Sequence, residues 1–159
     1  MIKRQKADEN SIIELSGTDS DGNSAVSRYK ILEKLGDGGS SIVYKALLLE
    51  KEENGEEASG LHIHVLKEFY PKECADILER REKGQLWLKE GADDNEFKKR
   101  LDRFKQSYLI HAEFDREDPN KHTTLLPLLS GGDVKYIVTG NAQGTILGKE
   151  EARNEIASL

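Results

Sequence analysis

The segment Leu61 to Phe69 alternates without a fault: Leu61, Ile63, Val65, Lys67 and Phe69 fall on one face, His62, His64, Leu66 and Glu68 on the other. A period of two sustained over this length admits a strand and excludes a helix. It also sets Lys67 in register with residues that should be buried. Lysine is almost never fully buried without a paired charge. The position therefore asks for an anion, either a carboxylate or a ligand phosphate, unless the side chain sits near the strand end and carries its ammonium to solvent.

The neighbouring sequence extends this strand into a sheet. Arg28 to Leu35 and Ile42 to Leu49 are apolar-rich runs around the turn Gly36-Asp37-Gly38-Gly39-Ser40-Ser41, which reads as a hairpin. Lys51 to Gly60 is an acidic, solvated loop. Leu125 to Leu129 and Val134 to Thr139 form a second strand pair, with Pro127 marking an edge or a bulge. Between the two groups, Asp93-x-x-Glu96 has the form of a capping box, and Phe97, Leu101, Phe104, Tyr108 and Ala112 make one helical stripe reaching about Phe114. Three strands, a helix and two strands predict an α+β fold: an open, five-stranded antiparallel sheet packed on one main helix. Residues 1–27 read as a polar tail around one apolar cluster, Ile12, Ile13 and Leu15. Asp19 to Asn23 is only faintly like a calcium loop and reads as a turn. Lys72 to Asp94 reads as an insertion with a short helix, interrupted at Gly84 and anchored on the sheet by Trp87.

Composition bounds the function. In 159 residues, 34% are charged, above the usual quarter, which leaves one domain with a modest core. A net charge of −6 speaks against non-specific nucleic-acid or anionic-membrane binding. No apolar run approaches a membrane span, and the single Cys74 excludes an internal disulfide and fits a reducing, cytoplasmic setting. His62, His64 and Cys74 match no zinc spacing, so the imidazoles are expected to face solvent and no metal site is expected. Lys98-Lys99-Arg100 reads as a solvated helix face.

Glycines let a backbone take positive φ and approach a ligand closely, so that amides converge on an anion. A Gly-rich turn with a purely steric role is the competing reading of Gly36 to Ser41. A Gly-rich hairpin turn followed by a strand with an inward lysine is, however, how a kinase-type ATP site is assembled. Gly36 to Ala46 is similar to the G-x-G-x-x-G-x-V loop, with Ser41 for the third glycine, and Val65-Leu66-Lys67 resembles the end of V-A-I-K. Tyr29-Lys30-Ile31, the helix Glu96 to Phe114, His122 to Leu126 and Tyr136 to Leu147 follow in the family's order. The chain thus resembles the N-terminal lobe of a protein kinase, of bacterial serine/threonine type, over residues 28–147, with the insertion at 72–94 and the start of a post-hinge helix at 148–159.

The resemblance implies an ATP site. Leu35, Gly36 and Asp37 would open the loop, and amides of Gly38, Gly39, Ser40 and Ser41 would cover the phosphates. Lys67 would contact the α- and β-phosphates and is the one implied catalytic residue. Val43 and Val65 would sandwich adenine, Thr139 would be the gatekeeper, and Gly140 and Ala142 would bond the adenine edge. Two departures limit this. The C-helix position that carries the family's glutamate falls near Lys105 to Tyr108, where Gln106 and Ser107 are the candidates, with Asp102 or Glu113 about a turn or more out of phase. No H-R-D, D-F-G or A-P-E motif is present. The general base and Mg²⁺ ligands would belong to a catalytic lobe beyond Leu159, so these 159 residues are expected to bind ATP without phosphorylating a protein, Mg²⁺ entering only with that lobe. The rival expectation is a pseudokinase-like interaction module that uses no nucleotide and offers the open underside of its sheet to a protein partner or a second copy.

Overall fold

The computed structural model describes residues 3–18, 21–49, 63–117 and 123–141. Its strands are β1 (Ile12–Thr18), β2 (Ser24–Asp37), β3 (Ser41–Leu49), β4 (Ile63–Phe69), β5 (Leu78–Arg80), β6 (Leu86–Leu88), β7 (Thr123–Leu125), β8 (Leu129–Gly131) and β9 (Val134–Asn141), with one helix, α1 (Asn95–Glu117), between β6 and β7. The expected open five-stranded sheet is not what forms. The order β4-β3-β2-β1-β8-β9 returns to its start because β9 also pairs with β4, closing a six-stranded antiparallel barrel. The β4–β9 seam has five residue pairs, from His64–Gly140 to Glu68–Tyr136, whereas the β1–β8 seam is narrow, a single pair, Ser16 and Ser130.

The correction originates in the segment read as a tail. Within residues 1–27, β1 pairs along its length with the first half of β2, from Ile12–Lys30 to Thr18–Ser24. Ile13 and Leu15 are fully buried. They join Tyr29, Ile31, Tyr44, Ala46, Leu66, Tyr136 and Val138 in one core. The face expected to lie open for a partner is thus the barrel interior. Leu125 to Leu129 is not one strand either. β7 and β8 lie along the same edge of β9 on either side of Leu126-Pro127-Leu128, since proline has no N–H for the ladder.

The barrel's outer face has its own small cluster, Val43, Ile63 and Val65, with Leu32, Leu35 and Leu47 packed against it. Leu35 reaches it through irregularity. The β2–β3 register slips between Ile31 and Glu33 and again between Lys34 and Gly36. A bulge shifts the phase of the side chains that follow it: Leu32 faces outward next to the inward Ile31, and the slip between Ile31 and Glu33 brings Leu35 to the same outer side.

Helix α1 begins at Asn95, one residue later than a cap at Asp93 would start it, and extends to Glu117. The Asp93 carboxylate accepts the Asn95 N–H at 3.1 Å, and the Asp94 carbonyl accepts the first helical bond, from Lys98 N–H at 2.9 Å. Phe97 and Phe104 of the expected stripe are buried and meet Phe69 ring to ring, at 5.6 and 5.3 Å between centroids. Among the described residues no helix is long and apolar enough to cross a membrane.

The insertion is not helical. Lys72–Cys74 and Glu82–Gly84 are 3₁₀ turns, and β5 and β6 pair as a hairpin. It supplies the barrel's internal charge. Glu68, on the inner side of β4, is fully buried and takes a bidentate bond from Arg80 of β5, Nη2 to Oε1 at 2.8 Å and Nη1 to Oε2 at 2.9 Å. Tyr44 donates to the same carboxylate at 3.3 Å, and Tyr136 donates to its other oxygen. Residues 4–7 cross the same end: Gln5 N–H donates to the Tyr70 hydroxyl at 2.7 Å, Ala7 N–H to that of Tyr44 at 3.0 Å, and Arg80 Nε to the Gln5 carbonyl at 2.9 Å.

These phenols make the fold sensitive to alkali. Burial pushes Tyr29 up to about 12 and raises Tyr44, Tyr70 and Tyr136 as well. An unfolded tyrosine ionises near 10. Below that pH both states are neutral and the burial energy is intact. Between about pH 10 and 12 only the unfolded chain releases the proton, so stability falls as pH rises, by roughly 3 kcal/mol for Tyr29 alone. Lys67 and Lys135, lowered by burial, act in the opposite sense, but only below the free lysine value of about 10.4, so their contribution is complete before most of this loss. Urea midpoints measured across this range should drop steeply, and a flat profile would contradict the burial of the phenols.

Candidate functional site

The residues implied to hold ATP divide into two groups, one covered and one accessible. Val43 and Val65 share the outer face but are only 6% and 0% exposed, beneath Leu32 and Leu35. Thr139 is 1% exposed and stands between Val65 and Leu125, its hydroxyl without a hydrogen-bond partner among the described residues. Gly140 has His64 and Thr124 as cross-strand neighbours, so it is a ladder residue and not a free hinge. A Cβ there would lie 2.5 Å from the His64 ring, which is half-buried against the sheet and edge-on to Tyr29, not solvent-facing as expected. Ala142 and His62 lie outside the described residues. The adenine end of the expected site therefore has no open surface on Val43 or Val65.

The phosphate end is different. Lys67 is the cross-strand partner of Val43 on one side and Ile137 on the other. Burial lowers its pKa, and it has no ion-pair or hydrogen-bond partner among the described residues. It opens into a cavity of about 310 Å³ lined also by Ser40, Phe69, Arg100, Arg103, Phe104 and Ser107. Helix α1 thus turns Arg103 and Ser107 toward the lysine where the resemblance requires a glutamate, and Asp102 and Glu113 are exposed elsewhere. Arg100 lies 2.8 Å from Glu96 and 3.6 Å from Glu73, so its charge is already shared, although its Nε makes no aligned hydrogen bond. No ion pair of Arg103 is found among the described residues.

The Gly-rich turn borders this cavity through Ser40 and is held from behind. Gly38 N–H donates to the Ser41 carbonyl at 3.0 Å, the Ser40 carbonyl accepts from Tyr70 N–H at 3.0 Å and that of Gly39 from Lys72 N–H at 2.9 Å. Asp37 pairs with Arg4 and with Lys34, and Arg4 also donates to the Tyr70 carbonyl at 2.8 Å. None of Gly36, Gly38 or Gly39 takes a positive φ, contrary to the expectation for this turn, and a Cβ on Gly39 would meet nothing within 4 Å. The fold does not require glycine there. What their small size leaves is open space over Ser40.

Arg100 was read as solvated and Arg103 not singled out, yet a signal was present: residues 100, 103 and 107 follow helical spacing beside the Phe97–Phe104 stripe. Among the described residues no three His, Cys, Asp or Glu side chains converge as metal ligands. Fold and site together define a closed antiparallel barrel with a cation-lined cavity between its outer wall and a single flanking helix. No family model, curated protein or solved structure matches the chain.

Proposed function

We propose that this chain binds a phosphorylated small molecule, with ATP as the reference ligand, by seating its phosphate on Lys67 beside the Gly-rich turn. The observation that carries the reading is Lys67 itself: a lysine on a packed strand face, partly desolvated, with no carboxylate beside it among the described residues, at a cavity that holds two more cations. A desolvated ammonium without a counter-charge is costly unless a ligand anion supplies one. The adjacency of β2, β3, β4 and β9 supports the reading further, because it keeps the turn next to the lysine as the kinase resemblance requires. The chain carries no kinase base motif, and the ligand is held, not turned over.

Calorimetric titration with ATP tests this. Replacing Lys67 with Met removes a charge-assisted bond worth about 1.5–3 kcal/mol and should weaken binding roughly 10- to 100-fold. Equal affinity in Lys67→Met and the parent would refute the reading. A second reading, a protein-interaction module without nucleotide, is favoured by Leu109, Ile110 and Phe114 of α1, which are 64%, 58% and 69% exposed. It requires that ATP bind neither the parent nor the variant.

A further inference from the structure

We infer that the cavity reads the phosphate end of its ligand alone, as a metal-free polyanion held by Lys67, Arg103 and the hydroxyl of Ser40, so that Mg²⁺ works against binding. This rests on the reading that Lys67 seats a phosphate, and it adds which form of the ligand is taken.

Three features lead there. The first is the sign of the lining. Among the described residues Lys67, Arg100 and Arg103 line the cavity and no carboxylate does. Kinase-type sites bring Mg²⁺ in on acidic side chains to neutralise the phosphates. Here the cations are built into the wall, and Arg103 of α1 is able to donate to phosphate oxygens, whereas the Ser107 hydroxyl already donates to the Phe104 carbonyl at 2.7 Å. A bound Mg²⁺ would occupy the same oxygens and bring positive charge beside Lys67 and Arg103. The second is size. About 310 Å³ lies at the small end of ligand cavities, which run from about 300 to 1,000 Å³, and suits a phosphate head better than a whole nucleotide. The third is the covered adenine face, where Val65 is fully buried and Val43 nearly so. A base finds no apolar slot there, and its identity should matter little.

Titration with ATP, GTP and tripolyphosphate, each in chelator and again with excess Mg²⁺, tests the inference on the parent, Lys67→Met and Arg103→Gln. Arg103 is exposed, and urea unfolding of each variant checks that it folds as the parent does. In chelator the three ligands should bind within about threefold of one another, excess Mg²⁺ should weaken ATP by about tenfold or more, and Arg103→Gln should weaken it by about tenfold, in line with one charge-assisted bond. Mg²⁺ that leaves ATP binding unchanged or strengthens it, or tripolyphosphate that fails where ATP binds, would overturn the inference while sparing Lys67 as the phosphate residue. Failure of all three ligands in both conditions would overturn both.

Discussion

Replacing Arg80 with Met should cost about 3–5 kcal/mol of folding stability, the range for breaking a buried ion pair from one side. Glu68 is fully buried, and the Arg80 side chain is only 13% exposed. The guanidinium is used almost to capacity: two bonds to Glu68, one from Nη1 to the Gly84 carbonyl at 2.8 Å and one from Nε to the Gln5 carbonyl. Its plane also lies 6.0 Å from the Tyr70 ring centroid. Met keeps much of the apolar stem but leaves a carboxylate inside the barrel with only two phenols beside it. The charge, and not the packing, carries the loss. Glu68→Leu combined with Arg80→Met should therefore recover most of the stability, because a matched apolar pair avoids the desolvation of both ions. Urea midpoints for the single and double variants decide this, and a single variant within about 1 kcal/mol of the parent would show that the pair does not hold the insertion to the barrel.

That cluster also marks where the sequence ceased to be legible. Alternation placed β4 correctly, and the Gly-flanked runs placed β2 and β3, because a half-buried strand writes its own period into the chain. The Phe97–Phe104 stripe gave α1 for the same reason, since its buried face is continuous. What stayed hidden depended on partners distant in sequence. Ile13 and Leu15 are two residues of ordinary alternation in a polar stretch, and pairing with β2 and, at Ser130 far along the chain, with β8 makes β1 a barrel strand rather than a tail. Glu68 looked like the solvent side of β4 because its neutralising arginine sits in a segment with no strong period. The site was legible in part. Lys67 stands out as a charge in an apolar register, and no carboxylate pairs with it among the described residues. The burial of Val43 and Val65 under Leu32 and Leu35 was not legible, because a register slip leaves no mark in residue type. The glycines of residues 36–39 suggested strain that is absent, whereas the glycines the fold requires, Gly84 and Gly132, lie in stretches that carried no motif.

Gly132 yields the second large effect. It takes φ +78° in the turn between β8 and β9, and a Cβ there would sit 2.2 Å from the Leu86 carbonyl oxygen and 3.0 Å from its carbon. Both are backbone atoms, so no side chain can rotate away. The same carbonyl accepts the Asp133 N–H at 2.9 Å, and the Asp133 carboxylate accepts the Leu88 N–H at 2.8 Å, bonds that fasten β6 to the barrel. Gly132→Ala must first pay left-handed strain of about 1–2 kcal/mol. It must then push β6 away and lose bonds worth about 1 kcal/mol each, for a total of about 3 kcal/mol or more. Gly22 supplies the control. It takes φ +82° in the β1–β2 turn with nothing within 4 Å of its Cβ position. Gly22→Ala should show the strain alone, about 1–2 kcal/mol. The difference between the two variants measures the docking of the insertion, the same segment that carries Arg80 to Glu68. Combining Gly132→Ala with Arg80→Met should thus cost less than the sum of the separate losses, because a displaced β5–β6 hairpin has already loosened the ion pair. Full additivity, or equal losses at Gly22 and Gly132, would mean that the close approach of β6 to this turn contributes nothing to holding the barrel's internal charge in place.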